Sequence, residues 1–262
     1  MSKVTIEDGK VIDVTEPKVK YCPLFKKHRG IDELNCESVR KNVEFRIERF
    51  GMCNDNRDTR MKDFLNFGVS EMLSLALTEH LIDAAVIAAD GCGTVVLEDP
   101  EIVQGMGGRI SGIIETEPIQ KVVDDIGAER LLDPKTAKID QFEGVAKAYH
   151  MHYHTIAVTV ANAKDAQEIR DCFGMTTVII AVHTTGVSEK DAEILFDTCD
   201  IITSCASKHI REIAKGRALL QAGTKVPVYA ASEMGAKIIK AKLDQLGREP
   251  DTGLDESPEP ML

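Results

Sequence analysis

Five short apolar runs constrain this chain more than any other feature. They are DAAVIAAD at 83–90, TIAVTVAN at 155–162, TTVIIAVHT at 176–184, DIITSC at 200–205 and VPVYAAS at 226–232. Each is rich in valine, isoleucine or alanine and ends in a polar or glycine-bearing turn. Continuous rather than alternating apolar runs belong to strands buried on both faces, as in a parallel sheet. Between them lie helical patterns, KDAQEIRDCF, SEKDAEILFDTC, SKHIREIAKGRALLQ and EMGAKIIKAKLDQL. This alternation predicts an α/β fold: an open, mostly parallel sheet with helices on both faces, joined by right-handed crossovers. A further strand is expected at 110–114, followed by a helix that begins at Pro118.

The chain before residue 66 has another style. VTIEDGKVIDV alternates about Asp8-Gly9, which signals a hairpin. Residues 32–50 space Val39, Val43 and Ile47 by four, with Ser38 as a cap and Gly51 as a stop. Residues 66–81 read as a helix with a broad apolar face. The last stretch, GREPDTGLDESPEPML, is acidic and proline-rich and reads as disordered. Three units follow: a small N-terminal hairpin and helical cysteine-bearing subdomain at 1–65, an α/β ligand-binding domain at 66–246, and an acidic tail at 247–262.

Composition narrows the function classes. A formal net charge of −11 disfavours a nucleic-acid partner. No apolar stretch approaches the ~20 residues of a membrane helix. The opening MSKVTIEDGKVIDV has no signal pattern, which points to the cytoplasm. Seven cysteines, an odd count in a chain of 262 residues, argue against a disulfide framework and for a reducing compartment.

In an open parallel sheet, ligands bind beyond the carboxyl ends of the strands. Loop 90–94 carries Asp90, Gly91, Cys92, Gly93 and Thr94. The run ending at 182 delivers His183, Thr184, Thr185 and Gly186, and the run ending at 203 delivers Ser204, Cys205, Ser207 and Lys208. The last run delivers Ser232 and Glu233. All four sets are expected on one edge, where helix N-termini favour a small anion such as phosphate or carboxylate. Gly107, Gly108 and Arg109 would add a backbone nest and a bidentate cation. In this site Arg109 and Lys208 supply charge, Thr184, Thr185 and Ser207 hydrogen bonds, and His183 proton handling, with His183 and Lys208 as the catalytic candidates. Neither phosphate-loop glycine spacing is present. The same loops also read plainly, as strand exits with capping hydroxyls: Ser188 with Asp191 opens one helix and Ser204 another.

The thiols leave a second chemistry open. Cys22, Cys36 and Cys53 form no C-x-x-C pair, yet their polar surroundings are unusual for core cysteines. Gathered by folding, they would ligate a metal or an iron–sulfur cluster, with Cys92 or an outside ligand completing the set. Cys92 and Cys205, at a strand end and a helix start, are the thiolate candidates. His150, His152 and His154 would share one face if extended, or lie at a solvated junction.

The blocks GCGTVV, EDPEIVQGMGGRISGIIETEPI, LLDPKTAKIDQFEGVAKA, AVTVAN, AVHTTGVSE and DIITSCASKHIRE, in this order, resemble the methanogenesis marker protein 8 family, from about Tyr21 to Lys240. The resemblance implies an archaeal, anaerobic cytoplasm and an accessory role around methyl-coenzyme M reductase, in maturation or cofactor chemistry, with that maturation machinery as a partner. It implies no particular reaction. It also implies alanine at the position of Cys92 in many members, which sets that thiol aside as a nucleophile. An iron–sulfur or other metal-binding redox protein and a non-enzymatic assembly factor remain the alternatives.

Overall fold

In the computed structural model, residues 2–62, 66–109 and 112–262 are described. β1 (Val4–Glu7) and β2 (Lys10–Val14) form the expected antiparallel hairpin, turned by Asp8 and Gly9 at positive φ. α1 (Pro23–Arg29) and α2 (Cys36–Phe50) follow. The cap of α2 is Asn35. Ser38 sits three residues inside as the reciprocal member of a capping box, and Gly51 ends the helix in the left-handed conformation.

The rest of the chain is one seven-stranded sheet in the order β4-β3-β5-β6-β7-β9-β8. Its strands are β3 (Ala84–Ala89), β4 (Gly93–Leu97), β5 (Ile156–Val160), β6 (Thr177–Ala181), β7 (Ile201–Thr203), β8 (Leu220–Ala222) and β9 (Val228–Ala230). β3, β5, β6 and β7 are mutually parallel, as the apolar runs predict. Helices cover both faces. Ala85, Ile87, Val178, Ile180 and Ile201 face a core shared with α3 (Val69–Thr78), α4 (Pro100–Gly107), α5 (Gln120–Ile126) and α10 (Glu233–Gln245). The alternate residues Ala84, Val86, Val158, Ile179 and Ile202 face α6 (Gln141–His150), α7 (Ala163–Phe173), α8 (Glu189–Thr198) and α9 (Lys208–Arg217). Burial on both sides is why these strands carry no polar alternation.

Two strands escape the sequence pattern, and both change the edge of the sheet. β4 pairs antiparallel with β3 across the three-residue turn 90–92, so DGCG is a hairpin turn and not a strand-to-helix loop. β8 uses residues expected to extend α9, which stops at Arg217. Only residues 223–227 join β8 to β9. That is too short for a crossover, which takes a dozen or more residues, so β9 must run antiparallel. The carboxyl end of β9 therefore points to the opposite edge, where Ser232 Oγ donates to Asp200 Oδ1 at 2.5 Å. Ser232 and Glu233 do not join the other exit loops. The strand expected at 110–114 falls partly outside the described residues, and 112–114 are irregular. The helix expected at Pro118 begins at Gln120.

The tail, expected to be disordered, is hydrogen-bonded to the body. Asp251 N–H donates to Gln221 O, Asp255 N–H to Thr224 O, and Glu259 pairs with Tyr21 in an antiparallel bridge. No helix among the described residues is long and apolar enough to cross a membrane.

Candidate functional site

At the carboxyl edge, three of the four parallel strands exit in the same way. The second residue after β3, β6 and β7 is left-handed: Gly91 at φ 78°, His183 at φ 57° and Cys205 at φ 43°. For histidine and cysteine this conformation is uncommon, and such positions gather at functional sites.

The β3 end of the edge is closed by protein. Asp90 is buried against Arg57, whose Nε lies 3.0 Å from Oδ2, and it accepts the Cys53 N–H at 2.8 Å. Arg57 also donates to the carbonyls of Gly105 and Met106. Gly91 N–H donates to Thr116 Oγ1 and its carbonyl accepts from Ile119 N–H. Gly93 lies against the Ala137 carbonyl. Thr94 Oγ1 donates to Gln141 Oε1 and accepts from Asp140 N–H. Asp90, Gly91, Gly93 and Thr94 thus weld three segments to the sheet, and their polar groups are used in doing so.

The glycines of α4 form no nest. Gly107 is the last helical residue and Gly108 has right-handed φ of −67°. Gly105 admits the crossing chain instead: a Cβ there would lie 2.2 Å from the Thr59 carbonyl oxygen. Arg109 stacks its guanidinium on the Phe50 ring at 3.4 Å, and its carbonyl accepts from Arg46. It belongs with the N-terminal unit. β3 and β7 are three strand spacings apart, about 14 Å, so this corner and the β7 exit are separate places.

The three early thiols do not converge. Cys22 is the residue that precedes α1. Cys36 begins α2 and donates to Glu16 Oε2 at 3.0 Å. Cys53 lies beyond the far end of α2, about 22 Å along a helix of 15 residues. Burial, with Asp90 nearby, pushes the Cys53 and Cys92 thiols up to about 12, away from the thiolate that binds metals. Among the described residues no three His, Cys, Asp or Glu side chains group to hold a metal ion. The expected Cys22, Cys36, Cys53 cluster is therefore not formed. Sequence proximity misled because α2 separates Cys36 from Cys53. His152 sits at positive φ in the turn after α6, so the three histidines there share no strand face.

The β6 and β7 exits keep what the sequence placed there and add a residue it missed. Thr184 Oγ1 donates to Thr203 O at 2.6 Å, Thr185 Oγ1 accepts from Ala206 N–H at 3.2 Å, and Ser207 caps α9 by accepting from Ile210 N–H. Gly186 turns the chain at φ 79°. Lys208 is exposed in the first turn of α9. His183 makes no side-chain hydrogen bond among the described residues, and burial holds its imidazole below the usual histidine range.

Ser204 is fully buried, and its hydroxyl has no partner. Arg211, one turn into α9 and 5% exposed, donates through Nη2 to the carbonyls of Cys205 and Lys225, while its Nε and Nη1 have no partner. Of seven buried side-chain polar atoms left unpaired among the described residues, three belong to these two residues. A buried polar group without a bond costs ~1–3 kcal/mol, and more when charged. Arg211 was legible as part of SKHIREI, four residues beyond the Ser207 cap, but an arginine on an amphipathic helix reads first as solvent-facing. Two surface depressions open on the opposite edge, one lined by Asp99, Asp125 and Arg130, the other by Met175, Ser232 and Lys237.

Residues 1–244 match the family described as "uncharacterized protein conserved in archaea (DUF2099)". An uncharacterized protein of Methanocaldococcus jannaschii is 44% identical over 252 residues, which cover 94% of this chain and 89% of that protein. No solved structure matches the chain significantly.

Proposed function

Starting from the fact that this chain belongs to the archaeal family DUF2099, we propose that it is an accessory protein of methanogenesis that binds a small oxyanion at the β6 and β7 exits. One observation carries the binding reading: Arg211 and Ser204 are buried with three hydrogen-bonding atoms unpaired beside the N-terminus of α9. A phosphate or carboxylate oxygen satisfies such donors, and charge-assisted bonds to a guanidinium are the strong ones. The positive end of α9 adds to the attraction. The Thr184 hydroxyl is spent on Thr203 O, whereas Thr185 and Ser207 accept backbone N–H groups and keep their O–H protons to donate to a ligand. His183, unbonded at the neighbouring exit, is the group available to exchange a proton with a bound ligand. Lys208 contributes charge at the rim. The methanogenic role, proposed as support of methyl-coenzyme M reductase, rests on the resemblance of the blocks from Tyr21 to Lys240.

Calorimetric titration with inorganic phosphate tests the site. Saturable binding is expected, weakened about tenfold or more in Arg211→Gln, the loss of one charged hydrogen bond. Ser204→Ala, a smaller change, guards against misfolding of the first variant and is expected to weaken binding in the same direction. Unchanged affinity in both folded variants overturns the site. Deleting the gene in its archaeal host tests the role: slower methane formation and lower methyl-coenzyme M reductase activity are expected, and unchanged rates overturn it.

A further inference from the structure

Resting on the oxyanion site just described, we infer that residues 256–262 are an intramolecular strap that occupies the mouth of that site and competes with its ligand. Leu262 spends both backbone groups on the turn that opens α9: its N–H donates to Ala206 O at 2.8 Å and its carbonyl accepts the Lys208 N–H at 3.0 Å. Lys208 N–H is one of the first-turn amides that have no partner inside the helix and that an anion would use. The Leu262 oxygen therefore stands where a ligand oxygen would stand. Leu262 Cβ also comes within 3.9 Å of the position a side chain would take at Gly186, so the strap bridges the β6 and β7 exits.

The other end of the strap is pinned to the N-terminal unit. Glu259 accepts from the Lys20 and Tyr21 amides and returns its own N–H to Tyr21 O. The Tyr21 hydroxyl donates to the Glu256 carboxylate, and Lys225 Nζ lies 2.7 Å from the same carboxylate. Lys225 in turn gives its carbonyl to Arg211, which ties the strap's anchor to the unpaired guanidinium. Pro258 is buried, whereas Glu256 and Lys225 are each more than a third exposed. A segment held by a few backbone hydrogen bonds, a half-solvated ion pair and one buried proline opens below the cost of global unfolding. If the open state holds about a tenth of the population, the intact chain binds its ligand about tenfold more weakly than the open form does.

The test keeps the full chain and loosens the anchor with Tyr21→Phe and Glu256→Gln together. Inorganic phosphate is titrated by calorimetry, and amide hydrogen exchange of 256–262 is followed with and without phosphate. We expect phosphate to speed exchange in the strap of the unaltered protein, and the double variant to bind about tenfold more tightly. Equal phosphate affinity in both proteins, with strap exchange unmoved, overturns the strap and leaves the site standing. Absence of phosphate binding in both overturns the site and the strap together.

Discussion

Arg57 Nε lies 3.0 Å from Asp90 Oδ2, and both side chains are shut off from solvent. This ion pair is the bolt between the N-terminal unit and the sheet. Asp90 is presented by the exit of β3, while Arg57 arrives on the loop after α2 and reaches on to the α4 carbonyls. Removing one member leaves the other charged and buried. Arg57→Met or Asp90→Asn is expected to lower stability by ~3–5 kcal/mol, measured by urea unfolding. The double variant should lose less than the sum of the two, because neither charge is then stranded.

Gly93 opens β4 at φ 65°, with the Ala137 carbonyl oxygen 2.0 Å from where a Cβ would lie. Gly93→Ala combines a left-handed strain with a clash against backbone. A loss of ~2–4 kcal/mol is expected, with the midpoint of thermal unfolding falling by several degrees. Gly112→Ala, with nothing within 4 Å among the described residues, should be close to neutral and serves as the control.

Stability should depend on pH through His183. Burial lowers its folded pKa below the ordinary 6.5, so between those two values the unfolded chain binds more protons than the folded one. Stability from this group is complete above pH 6.5 and is lost as pH falls through that window. His183→Gln should flatten the dependence there, in denaturation midpoints taken from pH 5 to pH 8.

The cysteines should separate by reactivity. Burial pushes the Cys53, Cys92 and Cys199 thiols up to about 12, whereas Cys172 is exposed on α7. Alkylation of the folded protein at neutral pH, read by peptide mass spectrometry, should label Cys172 and leave Cys53, Cys92 and Cys199 unmodified until denaturant is added. Early labelling of Cys92 would show that the β3–β4 turn opens.

Much of the fold was written in residue order. The apolar runs announce β3, β5, β6, β7 and β9, because a strand covered on both faces cannot afford polar alternation. Asp8-Gly9 announces the hairpin, and the helical patterns between the runs announce the crossovers. The exits of β6 and β7 followed from that topology, since parallel neighbours deliver their ends to one edge.

What residue order left undecided was direction and partnership. β9 has the composition of the parallel strands, yet the five residues after β8 reverse it and send Ser232 to the far edge. The glycines at 91, 93 and 105 look like a ligand loop, but Gly93 and Gly105 admit backbone, and Gly91 the Ile119 side chain, from elsewhere in the chain. Arg211 carries no local mark that separates it from a solvent-facing arginine. Its unpaired donors exist because α9 lies against β9 and the chain at Cys205 and Lys225, and such long-range contacts leave no period or spacing in a sequence.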